Sequence, residues 1–115
     1  MSEFPVSQHG TVVAMGLPIR VDVSNTKGFI DCMQTQLDAD KLDIVLDFEQ
    51  TQAIDSTALG AIVQVFKALK AREGRLRLCA VGSGVRRVLA ITRVDHVLSI
   101  FDTLDEALLA CSAGN

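Results

Sequence analysis

Apolar residues fall along the chain in blocks whose internal spacing changes, and each change marks an element. Two short β-prone stretches come first, about residues 3–7 and 11–15, with His9-Gly10 between them as a turn. This predicts an opening hairpin. Ser24 or Asn25 can cap a following helix in which Phe29, Ile30, Met33 and Leu37 recur at helical spacing. Leu42, Ile44, Val45, Leu46 and Phe48 form a compact apolar run, the pattern of a central strand covered on both faces. The clearest periodicity runs from Ser56 to Arg72. There Leu59, Ile62, Val63, Phe66 and Leu69 make one stripe and leave Gln64, Lys67 and Lys70 for water. Gly74 is expected to end that helix, and Leu76, Leu78 and Ala80 alternate with charged or smaller residues as another strand. Ser83 can cap a short helix carrying Val85, Val88 and Leu89, and residues 97–101 read as an edge strand. Asp102 or Thr103 then caps a last helix with Leu104, Ala107 and Leu108.

Strands alternating with helices predict an α/β fold: a mixed sheet of four or five strands with about four helices, mainly on one side, paired in parallel wherever a helix forms the crossover. No linker, repeat or low-complexity stretch interrupts the chain, so residues 1–115 are expected to form a single domain with a frayed end over Ser112–Asn115.

Composition removes several functions. Hydrophobic residues are 49% and charged residues 22% of the chain, a balance that builds a folded core. The net charge is −3 and the longest basic run is Arg86-Arg87, so no nucleic-acid partner is expected. All aromatic residues are phenylalanine, 4% of the chain, a poor supply of stacking platforms. The opening residues lack the basic start and apolar block of a signal peptide, and no apolar stretch is long enough to span a bilayer. The expectation is a cytoplasmic protein with no direct membrane insertion. Cys32, Cys79 and Cys111 are odd in number, far apart and set among apolar residues, the pattern of buried structural thiols and not of a disulfide framework or zinc cage.

The chemistry concentrates after the central strand. Asp55-Ser56-Thr57-Ala58-Leu59-Gly60 opens the best helix, and unpaired backbone N–H groups with the helix dipole make such an end favourable for an added phosphate. In the unmodified state Asp55 or Ser56 can cap the same helix, and by physical pattern alone an ordinary capping sequence reads identically. Gly82-Ser83-Gly84 lacks the lysine and spacing of a phosphate-binding loop and reads as a turn plus cap. His9 and His96 offer no Ser-His-Asp arrangement, and Asp38 with Asp40, and Asp105 with Glu106, read as solvated helix-end charges. Nothing here predicts an enzyme, a metal site or a cofactor.

Ile54-Asp55-Ser56-Thr57-Ala58-Leu59-Gly60 resembles the hydrophobic-Asp-Ser-Ser/Thr-Gly-Leu-Gly signature of bacterial anti-sigma factor antagonists, the stand-alone members of the STAS domain family. Residues 76–79 with 85–89 look like that family's fourth strand and short third helix, and Val21-Asp22-Val23-Ser24 is similar to its acidic turn before the first helix. The resemblance implies that Ser56 is phosphorylated by a serine-kinase anti-sigma factor and dephosphorylated by a metal-dependent serine phosphatase. It implies further that Asp22, Asp55, Thr57, Ala58, Leu59 and Gly60 surround the phosphosite or meet the partner. Two departures stand out. Ala58 replaces the usual glycine, adding a methyl group where a partner approaches, and Ile19 stands where the family often has glycine. A receiver-domain reading of Asp55 lacks the acidic pair after the first strand. A constitutive STAS subunit of a membrane transport or other complex, never phosphorylated, is the alternative function.

Overall fold

The structure, a computed structural model, describes residues 3–112. β1 (Val6–His9) and β2 (Val12–Gly16) form an antiparallel hairpin that turns at Gly10, whose φ of +64° suits glycine. The first strand begins later than the pattern suggested because Phe4 leaves the strand for the core, where it is buried and its ring lies 5.8 Å from that of Phe29. The chain continues through β3 (Arg20–Val21), α1 (Thr26–Asp38), β4 (Asp43–Asp47), β5 (Ala53–Ile54) and α2 (Ser56–Ala71). β6 (Arg75–Cys79), α3 (Ser83–Ile91), a 3-10 turn (Val94–His96), β7 (Ser99–Phe101) and α4 (Leu104–Ser112) complete it. Residues 113–115, on which most of the expected fraying falls, lie outside the described residues.

The main sheet has the order β1-β2-β4-β6-β7, parallel except for the opening hairpin. Each crossover moves one strand further in the same direction, and right-handed crossovers of that kind put α1, α2 and α3 on one face. That face holds the main core, including Met15, Phe29, Ile44, Leu46, Ile62, Leu69, Leu78 and Leu89. α4 covers the opposite face, where Val12, Val45, Cys79 and Ala107 form a smaller cluster. The α/β fold with a mixed five-stranded sheet and four helices, three on one side, is as the sequence predicts.

Local expectations are met unevenly. Asn25 stands at the start of α1 but does not cap it with its side chain, because its Oδ1 accepts the Asp22 N–H at 2.9 Å. Gly82, not Ser83, occupies the N-cap position of α3, while Thr103 Oγ1 accepts the Glu106 N–H at the head of α4. At the end of α2 it is Glu73 that takes the left-handed conformation, with φ 61°. Gly74 donates its N–H to the Leu69 carbonyl at 2.7 Å, and a Cβ there would stand 2.6 Å from the Leu42 carbonyl oxygen. Close approach of two backbones is why glycine is needed at this position. Arg77, on the face of β6 that alternation left for charged or smaller residues, is buried under α4. Its Nη1 pairs with Asp43 Oδ1 at 2.7 Å and lies 3.0 Å from Cys111 Sγ. Cys79 is buried as expected, but Cys32 and Cys111 are only half-buried, and Cys111 meets the charged groups of Arg77 and Asp43 as well as the apolar cluster under α4.

Candidate functional site

Two loops leave neighbouring parallel strands at their C-terminal ends, residues 17–25 after β2 and 48–55 after β4. They are stitched together. Buried Thr51 donates its hydroxyl to the Pro18 carbonyl at 2.9 Å and the Leu17 carbonyl at 3.3 Å. The Gln52 and Ala53 N–H groups both donate to the Ile19 carbonyl, and β3 pairs in parallel with β5 in register Arg20↔Ala53 and Val21↔Ile54. This second, two-stranded sheet has no signature in the pattern, since two residues are too few to show alternation. Gly84 lets α3 press on the same loop: a Cβ there would stand 3.0 Å from the Gln52 carbonyl oxygen. Within Gly82-Ser83-Gly84 it is thus Gly84 that serves packing, while a Cβ at Gly82 would meet open space.

Asp55 occupies the N-cap of α2 with extended backbone, as a cap requires, and its two carboxylate oxygens do different things. Oδ1 accepts the Ala58 N–H at 2.8 Å, closing the helix end, and Oδ2 accepts the Val23 N–H at 3.1 Å across to the other loop. One side chain therefore fixes both the start of α2 and its distance from the turn at Asp22.

That turn is built on Asp22 itself. Its carbonyl accepts the Asn25 and Thr26 N–H groups, and its carboxylate accepts both the backbone N–H and the hydroxyl of Ser24. The Ser24 hydroxyl first, then the Ser24 N–H, hold the Asp22 pKa below its ordinary value; Arg20 adds a smaller pull against a small opposing cost of burial. Asn25 completes the turn by donating to the Arg20 carbonyl at 2.9 Å. The structure thus brings Asp22 beside Asp55, although 33 residues separate them (55 − 22). Val23 had no claim from pattern, yet it links the two and leaves its side chain 74% exposed next to them. An apolar residue standing alone between Asp22 and Ser24 was the signal available in the sequence.

Ser56 and Thr57, the first two residues of α2, are exposed and carry two of the leading N–H groups for which a helix has no internal acceptor. Gly60 is also exposed, with open space where a side chain would be. Ala58 and Leu59 are buried, so the extra methyl of Ala58 enters the core instead of meeting a partner, a correction to what the resemblance implied for it. These two residues serve the site by anchoring α2 beneath it.

An open cleft of about 710 Å³ flanks the turn, and its lining includes Arg20, Asp22, Ser24, Glu3, Asp47 and Glu49. Four carboxylates to one guanidinium make it unfavourable for anions. Elsewhere, burial first and Asp47 second push the Cys79 thiol up to about 12, so it stays protonated at neutral pH. His9 and His96 are exposed, and so are Asp38, Asp40, Asp105 and Glu106; Asp40 pairs with Arg72 at 2.6 Å. Among the described residues no group of three or more His, Cys, Asp or Glu could hold a metal ion, and no helix is long and apolar enough to cross a membrane.

Comparison with known proteins adds four findings. The STAS domain family model matches residues 3–107. A curated protein of Thermotoga neapolitana, provisionally named an anti-sigma factor antagonist, is 38% identical over 65 residues. The match covers 56% of this chain and 58% of that relative, so it spans less than two thirds of the relative's length. A crystal structure from Thermotoga maritima with the same provisional name superimposes with a TM-score of 0.86 at 29% identity over 91% of each chain. A sulfate transporter family protein of Wolinella succinogenes shares the fold alone, with a TM-score of 0.74 at 19% identity over 93% of this chain and 89% of that one.

Proposed function

Because this chain belongs to the STAS domain family, we propose that it is an anti-sigma factor antagonist, a protein-binding switch controlled by phosphorylation of Ser56 and not an enzyme. Unmodified, it binds a serine-kinase anti-sigma factor in the cytoplasm; the kinase modifies Ser56 and the complex separates, and a metal-dependent serine phosphatase restores the binding form. The observation that supports this best is the exposed Ser56 hydroxyl directly after the Asp55 cap, on a rim that Asp55 ties to the Asp22 turn.

The rim explains how added charge acts. A phosphate brings about −1.5 to −2 charges, and it arrives beside two carboxylates already held in fixed positions. The leading N–H groups of α2 and its dipole, equivalent to roughly half a positive charge, let the helix tolerate the group. The surface changes from mildly acidic to strongly acidic while the fold persists. A partner that presents apolar surface or carboxylates to Val23, Ser56 and Thr57 then meets a desolvation cost and repulsion.

The test is calorimetric titration of the kinase that co-purifies with unmodified protein. Wild type and Ser56→Ala should bind alike, the stoichiometrically phosphorylated protein at least tenfold more weakly, about 1.4 kcal/mol, and Ser56→Asp in between. Peptide mass spectrometry after incubation with that kinase and ATP should place phosphate on Ser56. Phosphate on Thr57 alone would move the switch by one residue. Equal affinities throughout would sink the switch and favour the constitutive subunit.

A further inference from the structure

At the other end of α2, away from Ser56, lies a second surface that the switch does not use. Phe66 is ten residues along the helix from Ser56, roughly 15 Å at 1.5 Å per residue. Between the last turns of α2 and the 3-10 turn is a hollow of about 230 Å³ whose floor is apolar: Val63, Phe66, Val94 and Leu98. Val97, 61% exposed, stands on its edge. Lys67 and Arg93 complete the wall, and none of its eight lining residues is acidic. Phe66 and Val97 also line the adjoining hollow, where Lys70 lies 5.7 Å from the Phe66 ring centroid. The protein as a whole carries −3, so a basic rim around an apolar floor runs against its average.

Size and charge together narrow the occupant. Small-molecule sites are typically ~300–1,000 Å³, and this hollow is smaller, the size to take a side chain or two presented by another molecule. Lysine and arginine at the rim select against basic neighbours and favour carboxylates. We propose that this groove docks a short segment of a partner protein that offers bulky apolar side chains flanked by aspartate or glutamate. The contact is independent of the Ser56 surface and keeps a partner tethered whatever the phosphorylation state.

A blocked synthetic peptide of alternating leucine and glutamate is the probe, with its leucine-lysine counterpart as the comparison. Titrated into this ¹⁵N-labelled chain at physiological salt, about 0.15 M, the acidic peptide should give saturable amide shifts gathered at Phe66, Lys67, Arg93 and Val97. Its affinity should fall on the order of tenfold or more in Lys67→Glu/Arg93→Glu, two exposed positions whose change leaves the core intact, as a matching thermal melt would verify. Ser56→Asp should leave it within about twofold, the two surfaces being further apart than a Debye length at physiological salt. Binding of the lysine peptide with equal affinity, absence of saturable shifts, or shifts gathered around Val23 and Ser56 would overturn the proposal. So would a concentration-dependent dimer, seen by sedimentation and abolished by Val97→Glu, because the occupant would then be a second copy of this chain.

Discussion

The two ends of α2 are held in place by different forces. At its N-terminus the neighbouring loops are joined by polar contacts: the Asp55 carboxylate reaching Val23 and Ala58, the Thr51 hydroxyl reaching Leu17 and Pro18, and the self-bonded Asp22 turn. At its C-terminus the helix is stopped by contact of backbone on backbone, Gly74 against Leu42, with Leu69 fully buried beside them, and the polar ties of Arg72 to the Leu37 carbonyl and Asp40 lie outside that packed contact. The first kind of joint stabilises by about 1 kcal/mol per hydrogen bond and can be altered piece by piece. The second is a matter of packing, where one extra carbon has nowhere to go. A surface meant to gain and lose charge belongs on the first kind of joint, because its electrostatics can change without the core having to rearrange.

The sharpest test of that contrast is Gly74→Ala. The added methyl would stand 2.6 Å from a carbonyl oxygen, closer than real Cβ contacts come, and a tight 3.1 Å from Leu69 Cδ2. Either β6 or the end of α2 must shift, at a cost of about 2–3 kcal/mol, visible as a lower urea midpoint. The amide shifts of Val23 and Ser56 should stay in place. If they move as much as those of Leu42 and Arg75, the two ends are not independent.

Asp55→Ala comes next. It removes a helix cap and the tie to Val23, and the expected loss is about 1–2 kcal/mol. Asp55→Asn keeps an acceptor for the Ala58 N–H and should lose less than half as much. Hydrogen exchange should speed up at Val23 in both variants, since an amide oxygen accepts more weakly than a carboxylate there. Unchanged exchange at Val23 would mean that the bond seen at 3.1 Å does not hold the loops together.

The same contrast governs what was legible beforehand. The helical stripe from Leu59 to Leu69 and the apolar run around Ile44 to Leu46 are read from spacing because burial of whole faces leaves a periodic trace. Asp55 was legible as a cap because capping is a local relation over three residues. The bond from Asp55 to Val23, the pairing of Arg20-Val21 with Ala53-Ile54 and the burial of Arg77 against Asp43 are relations over more than 30 residues between polar groups. They leave no periodicity. The resemblance alone brought Asp22 near the site. The groove beside Phe66 was missed because the helical stripe reads Val63 and Phe66 as core, and only the fold shows their outer edges open to the rim at Lys67 and Arg93.

Ser56→Asp should change stability less than either substitution above, within about 0.5 kcal/mol. A carboxylate at the first position of a helix gains from the dipole, while the neighbouring Asp55 opposes it. The two effects act in opposite directions at similar size. A loss above about 1 kcal/mol in thermal or urea unfolding would show that charge at this position disturbs the fold, and that the rim is not the tolerant surface the switch needs.

The smallest effect concerns Asp22, a half-buried residue whose carboxylate is engaged by Ser24. Its folded pKa lies below the ordinary 3.8, so the folded state binds this proton less readily than the unfolded state. The stabilisation from the charged form is therefore complete above pH 3.8 and is lost as pH falls through the lower, folded value. Asn in its place can still accept from the Ser24 N–H but never carries the charge. Urea midpoints for wild type and Asp22→Asn should differ by a constant amount from about pH 5 upward and converge as pH falls below 3.8. A difference that persists unchanged to about pH 2 would mean that the Ser24 contacts do not depend on ionisation. Convergence would show that the Asp22 carboxylate beside Ser56 is ionised at neutral pH, so that an incoming phosphate adds to its standing negative charge and the partner experiences the sum.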